Sequence, residues 1–252
     1  MKITVLVASH KPYWMPSEAP YLPIQVGAEN KPDLNLGGVK DNEGENISLK
    51  NPHYCELTAL YWAWKNLKGS DAVGLAHYRR HFGRPGRGLK ERILKQKDFE
   101  ALLEKAPIIV PPKRNYFIET VQSQYEHAHH PEDLAVLRKV IYDDFPDYLP
   151  ALDLVMLGTK THLLNMFVMR RDLFDAYCAW LFAVLGKVEA QLDISGYSTN
   201  DARVFGFLSE RLLDVWLITH DHPTVECSLV QLERTNWIKK GFNFLVRKFR
   251  HA

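Results

Sequence analysis

The six-residue run Ile3-Thr4-Val5-Leu6-Val7-Ala8 stops abruptly at Ser9-His10-Lys11-Pro12. A short apolar, β-branched stretch closed by turn residues reads as a strand buried on both faces. Such a strand cannot sit at the edge of a one-sided sheet; it needs helices above and below, which restricts the chain to an α/β architecture. The same punctuation recurs in Ala72-Val73-Gly74-Leu75-Ala76, which runs into His77-Tyr78-Arg79-Arg80-His81, and in Ile108-Ile109-Val110 before Pro111-Pro112. Met166-Phe167-Val168-Met169 supplies a further short strand.

Helical spacing fills the intervals. Asn51-Pro52 offers an N-cap followed by proline at the first helical position, and Tyr54, Leu57, Leu60, Tyr61, Trp64 and Leu67 follow on one face, predicting a single helix that ends at Gly69. Helices are also expected over Phe99 to Lys105, Thr120 to His130, Glu132 to Asp143, Asp172 to Val188 and Arg203 to Trp216. Between Pro12 and Asn46 the chain is rich in Pro, Gly, Asn and Asp, with one apolar patch at Ile24-Gln25-Val26, so long loops around one strand are predicted. Gly83 to Gly88 is a basic, glycine-rich loop, and Asp193 to Thr199 a polar one. The outcome is a mixed, mainly parallel sheet flanked by helices, with residues 1–236 as one catalytic domain and 237–252 as a basic amphipathic tail.

Charge and cysteine usage exclude several classes. A net charge of +2 over 252 residues does not mark a nucleic-acid protein, and none is expected as partner. Cys55, Cys178 and Cys227 cannot all pair and none stands in a Cys-x-x-Cys spacing, which argues for a reducing, cytoplasmic setting. No stretch reaches the roughly 18 apolar residues of a spanning helix. The tail, Trp237 to Arg250, alternates cations with bulky apolar groups; it reads equally as a peripheral anchor on an anionic membrane surface and as a docked terminal helix.

Ligands of open α/β sheets bind beyond the carboxyl ends of the strands, so Ser9, His10 and Lys11 should face the same cleft as His77, Tyr78, Arg79 and Arg80. Arginine forks match phosphate oxygens, and such a cluster would hold a diphosphate and stabilise it as it leaves; pairing with the protein's own acids is the alternative. Many nucleotide-sugar transferases bring a divalent metal there with an Asp-x-Asp motif, and this chain has none at a strand end. No tightly bound cofactor is therefore expected, and manganese or magnesium is not indicated by motif. Asp41, Glu43 and Glu45 read as a solvated loop; His127 to His130 and His220-Asp221-His222 lack the spacing of a zinc site. Displacement at a sugar carbon requires a carboxylate to receive the acceptor's proton. Asp193 and Glu210 are the candidates, Glu210 because it stands beside Arg211 on an otherwise apolar helix.

Asn46-Ile47-Ser48, Asn51-Pro52-His53-Tyr54-Cys55-Glu56-Leu57-Thr58-Ala59-Leu60-Tyr61-Trp62 and Val73-Gly74-Leu75-Ala76-His77-Tyr78-Arg79-Arg80 closely resemble a bacterial family first catalogued as a domain of unknown function and encoded with capsular and exopolysaccharide enzymes. Ile24 to Ala28, Asn165 to Met169 and Arg203 to Leu213 extend the resemblance over nearly the whole chain. It implies a GT-A-like glycosyltransferase that moves a hexose, such as galactose or galactofuranose, from a UDP-type nucleotide-diphospho-sugar to a lipid-linked glycan repeat. By position it implies donor contacts for His77 to Arg80, a cleft place for Asn165, and a site or scaffold pair in Glu210 with Arg211. Two rivals stay open, a non-catalytic nucleotide-sugar or glycan-binding module and a metal-dependent hydrolase using the histidines.

Overall fold

The computed structural model describes residues 1–233. The chain order is β1 (Ile3–Ser9), β2 (Tyr21–Gln25), β3 (Val39–Lys40), α1 (Asn51–Tyr54), α2 (Leu57–Asn66), β4 (Ala72–His77), β5 (Arg80–Phe82), α3 (Gln96–Leu103), β6 (Ile108–Val110) and β7 (Arg114–Asn115). Then follow α4 (Val121–Glu126), α5 (Pro131–Asp144), α6 (Leu149–Leu157), β8 (Lys160–Thr161), β9 (Phe167–Arg170), α7 (Arg171–Glu189), α8 (Val204–His220), β10 (Thr224–Glu226) and β11 (Leu229–Gln231). Among the described residues nine strands form one sheet, with the main order β10-β6-β9-β4-β1-β2-β3. Strand β1 runs parallel to β2 and β4, whereas β9 is antiparallel to both β4 and β6. The mixed, mainly parallel sheet flanked by helices is the architecture that the apolar runs require.

Strand β1 explains the layering. Leu6 and Ala8 point into a core shared with α2, α7 and α8, while Ile3, Val5 and Val7 point into a second core closed by α3 and β5. Alternation along one strand thus feeds two hydrophobic layers, and each fully buried Val or Leu contributes roughly 1.5–3 kcal/mol. Gly74 serves the same centre. A Cβ there would lie 2.6 Å from the Phe167 carbonyl oxygen, so the glycine lets β9 close on β4.

The structure departs from the sequence reading in several places. The helix expected over 51–67 is two helices, because Cys55 adopts φ 53° and ψ −131° and turns the chain between α1 and α2. Asn51 supports the turn by donating its Nδ2 hydrogen to the Cys55 carbonyl at 2.7 Å. Asp41 is not a solvated loop acid but fully buried, and its carboxylate accepts from the Gly27 and Ala28 amides and from the Ser48 and Thr58 hydroxyls. The helix expected over 120–130 is confined to α4, and α3 begins at Gln96 rather than Phe99. Helix α6 and strands β10 and β11 carry too little contrast to be read from sequence. The tail from Trp237 onward lies outside the described residues.

Candidate functional site

Residues from the ends of β1 and β4 meet in a cleft of about 790 Å³. Ser9 is buried behind it; its hydroxyl donates to the Lys11 carbonyl at 2.7 Å, which bends the β1 exit so that His10 and Lys11 face the cavity. His77, at the end of β4, donates its Nε2 hydrogen to the Leu164 carbonyl at 2.6 Å. A carbonyl can only accept, which fixes that tautomer. Tyr78 forms a buried aromatic wall. The His10 ring meets it edge-on at 5.5 Å, and the Lys11 ammonium and Arg79 guanidinium stand 5.2 and 5.7 Å from its centre.

The lining is strongly cationic. Lys11, Lys31, Arg79, Arg80 and Arg203 all border the cleft, and among the described residues only Arg79 has a carboxylate partner, Glu233 at 3.2 Å. Arg203 donates to the Cys55 sulfur at 3.2 Å instead. This concentration shifts the neighbours: burial and then Lys31, Lys11, Arg79 and Arg203 push the His10 imidazole below its ordinary value. Burial, followed by Arg79, likewise lowers Arg80. In both shifts burial leads and neighbouring positive charge adds to it.

Two glutamates share the lining with the cations. Glu210 accepts from the Leu164 amide at 2.9 Å through one oxygen and from Arg211 at 2.9 Å through the other. Burial raises its carboxyl above the usual range, against the pull of Arg211. Glu56, placed by the Cys55 turn, accepts from Asn165 Nδ2 at 2.7 Å. Leu164 and Asn165 are consecutive residues at φ 78° and 53°, a conformation that L side chains adopt at a cost. The strained pair is held because its groups serve His77, Glu210 and Glu56 at once.

Of the residues expected from sequence, the fold gathers His10, Lys11, His77, Tyr78, Arg79, Arg80 and Glu210 on one cleft. Ser9, Asn165 and Arg211 lie one layer behind; Arg211 is buried and reaches Phe207 and Gln124 rather than the cavity. Asp193 is elsewhere. Its exposed carboxylate accepts from the Ser195 amide at 2.9 Å, an Asx turn that organises the loop after α7 and offers the cleft nothing. Lys31, Glu56 and Arg203 join the lining without a sequence signal of their own. The first lies in a featureless loop, and the other two depend on the Cys55 turn and on a contact 148 residues apart in sequence.

The histidine groups are engaged locally. His127 pairs with Glu119 at 2.7 Å, His129 stacks on Phe207 at 4.2 Å, His130 on Tyr197 at 4.0 Å, and His220 bonds the Tyr148 hydroxyl at 2.9 Å. Among the described residues no three His, Cys, Asp or Glu side chains converge as a cation site, and the cleft itself suits a resident divalent metal poorly. Its glutamates are bound to Asn165, Leu164 and Arg211, and its remaining charge is positive.

The chain is similar to a solved structure described as the bifunctional glycosyltransferase WbbM in its apo form, with 27% identity and a TM-score of 0.86. The match covers 93% of this chain but 46% of that one, so the protein spans about half the length of its structural neighbour. No curated protein matches the chain. Among the described residues no helix is long and apolar enough to cross a membrane. The family model for the domain of unknown function DUF4422 matches residues 4–221, and with that span the chain belongs to the DUF4422 family.

Proposed function

We propose that the chain is a glycosyltransferase whose cleft holds a nucleotide-diphospho-sugar and passes the sugar to a glycan hydroxyl. The observation that carries this reading is the set of cations without ion-pair partners among the described residues, Lys11, Lys31, Arg80 and Arg203, gathered on one cleft of a fold like that of a glycosyltransferase. A departing nucleoside diphosphate gains negative charge as the bond from the sugar carbon to its oxygen breaks, and preplaced cations stabilise that charge. Glu210 is the acid-base candidate: in an inverting displacement its carboxylate takes the acceptor's hydroxyl proton while the new carbon–oxygen bond forms.

The finer expectations belong to the same proposal. A UDP-hexose donor and a lipid-linked capsular, exopolysaccharide or O-antigen acceptor follow from the sequence resemblance, and work at the inner face of the cytoplasmic membrane from the cationic-aromatic pattern of Trp237 to Arg250. Side-chain cations would do the work often given to a metal. The test is a screen of nucleotide sugars for a rise in melting temperature, followed by release of nucleoside diphosphate with candidate acceptors. Stabilisation with turnover supports the reading. Stabilisation without turnover on any acceptor would leave a binding module, and no stabilisation by any nucleotide sugar would overturn the donor site.

A further inference from the structure

Away from the cleft lining, the chain displays apolar side chains where a water-facing surface gains nothing from them. Phe117 is 80% exposed and Ile118 59%, at a turn in which Phe117 takes φ 59°. The Ile118 amide donates to the Tyr116 carbonyl at 2.7 Å, making Phe117 the centre of a three-residue γ-turn, a strained conformation for an aromatic residue. The turn is firmly anchored: Tyr116 is buried and its amide donates to Thr159 at 2.8 Å, and the Val121 amide donates to Gly158 at 2.8 Å. Those bonds bring the end of α6 beside it, where Leu154 is 63% and Leu157 71% exposed. A strained backbone fixed by its surroundings so as to hold phenylalanine in solvent marks a contact surface.

The charge next to the turn identifies the occupant. The ribbon β7–β8 pairs Asn115 with Lys160 and Arg114 with Thr161, so its apolar end carries Phe117 and Ile118 while exposed Arg114 and Lys160 stand level with residues two to three before Phe117. Neither cation has an ion-pair partner among the described residues. Nearby acids are already taken, Glu119 by His127 and Asp153 by Arg138, while Lys113 is bound to Asp214. An apolar tip backed by free cations is the pattern of an interfacial anchor, in which rings and aliphatic chains enter the acyl boundary while cations meet anionic headgroups.

We propose that Phe117, Ile118, Leu154 and Leu157, flanked by Arg114 and Lys160, form a docking surface for an anionic lipid bilayer. The surface is drawn from residues 114–160 alone. The bilayer contact does not rest on the transferase reading.

The experiment is co-sedimentation of the full chain with vesicles of phosphatidylglycerol or of phosphatidylcholine. Phe117→Asn combined with Leu157→Gln removes apolar groups, and Asn tolerates the positive φ, so melting temperature should hold. This double variant should partition into phosphatidylglycerol vesicles about tenfold less, the scale of losing two partly buried apolar side chains. Arg114→Glu with Lys160→Glu should abolish the preference for phosphatidylglycerol over phosphatidylcholine. Binding by the wild type that neither pair of changes reduces would overturn the proposal and assign the membrane contact to the tail. Absence of vesicle binding by the wild type, or self-association lost in the variants, would overturn it too. Nucleotide-sugar stabilisation measured on the same variants separates this result from the fate of the donor site.

Discussion

Arg79 and Arg80 are neighbours in sequence with different circumstances. Arg79 is tied to Glu233, whereas Arg80 has no ion pair among the described residues and sits under lowered solvation. Arg80→Ala should therefore weaken donor binding by roughly 1.5–3 kcal/mol, the scale of a charge-assisted hydrogen bond, with Arg79→Ala costing less because its pair must open first. Titration of the melting temperature with donor reads both. Glu210→Gln should lower kcat by roughly 10²- to 10⁴-fold while leaving donor affinity nearly intact. Because a base works deprotonated and burial raises this carboxyl, the acid limb of the wild-type profile should lie above the ordinary glutamate range and vanish in the variant. An unchanged limb would remove Glu210 from the chemistry.

A second carboxylate tests stability rather than turnover. Asp214 accepts from the His162 ring at 2.6 Å and amide at 2.8 Å and pairs with Lys113 at 3.1 Å. Burial would raise it, but His162 and Lys113 prevail and hold it down at about 2. With the folded value depressed below the ordinary 3.8, this contribution is fully present above that pH and lost as pH falls towards 2. At about 1.4 kcal/mol per pKa unit it is worth about 2 kcal/mol. Asp214→Asn should cost about 3–5 kcal/mol at neutral pH, since it strands buried partners, and should flatten the acid end of the stability curve. Urea titration at several pH values decides it.

Among the elements, β1 and β4 were legible because their apolar runs are buried on both sides and end in polar residues that have no place in a core. The helix from Asn51 to Leu67 was legible in its spacing but not in its break, for nothing about Cys55 announces a positive φ. The break is what aims Glu56 at Asn165. Asp41 misled for a related reason: an acid in a polar loop looks solvated until Gly27, Ala28, Ser48 and Thr58 are folded around it. Gly27 adds a prediction at this scale. Its φ is 64°, and a Cβ would lie 2.5 Å from Asn51 Oδ1, so Gly27→Ala should cost about 1–3 kcal/mol and disturb the Asn51 support of the Cys55 turn. Thermal unfolding checks the first effect and donor affinity the second.

For the molecule as a whole, the mixed sheet was readable from periodicity, and half the cleft from the rule that ligands sit at strand ends. The other half was not, because Leu164 and Arg203 reach the cleft only through contacts 87 and 148 residues apart in sequence. Turnover in excess chelator should persist, since the lining offers a cation little and a diphosphate much; loss on chelation restored by manganese or magnesium would put a metal in the reaction.

The sequence distance across the cleft also has a kinetic meaning. Closing loops of that size is slow and entropically costly, so the contacts of His77 with Leu164 and of Cys55 with Arg203 should form late, after the β1–β2–β4 core has condensed. A ligand that bridges Lys11 and Arg203 then finds nothing to grip in the folding transition state. It should leave the refolding rate unchanged and slow unfolding alone, so that donor protection appears in stopped-flow measurements entirely on the unfolding arm of the chevron.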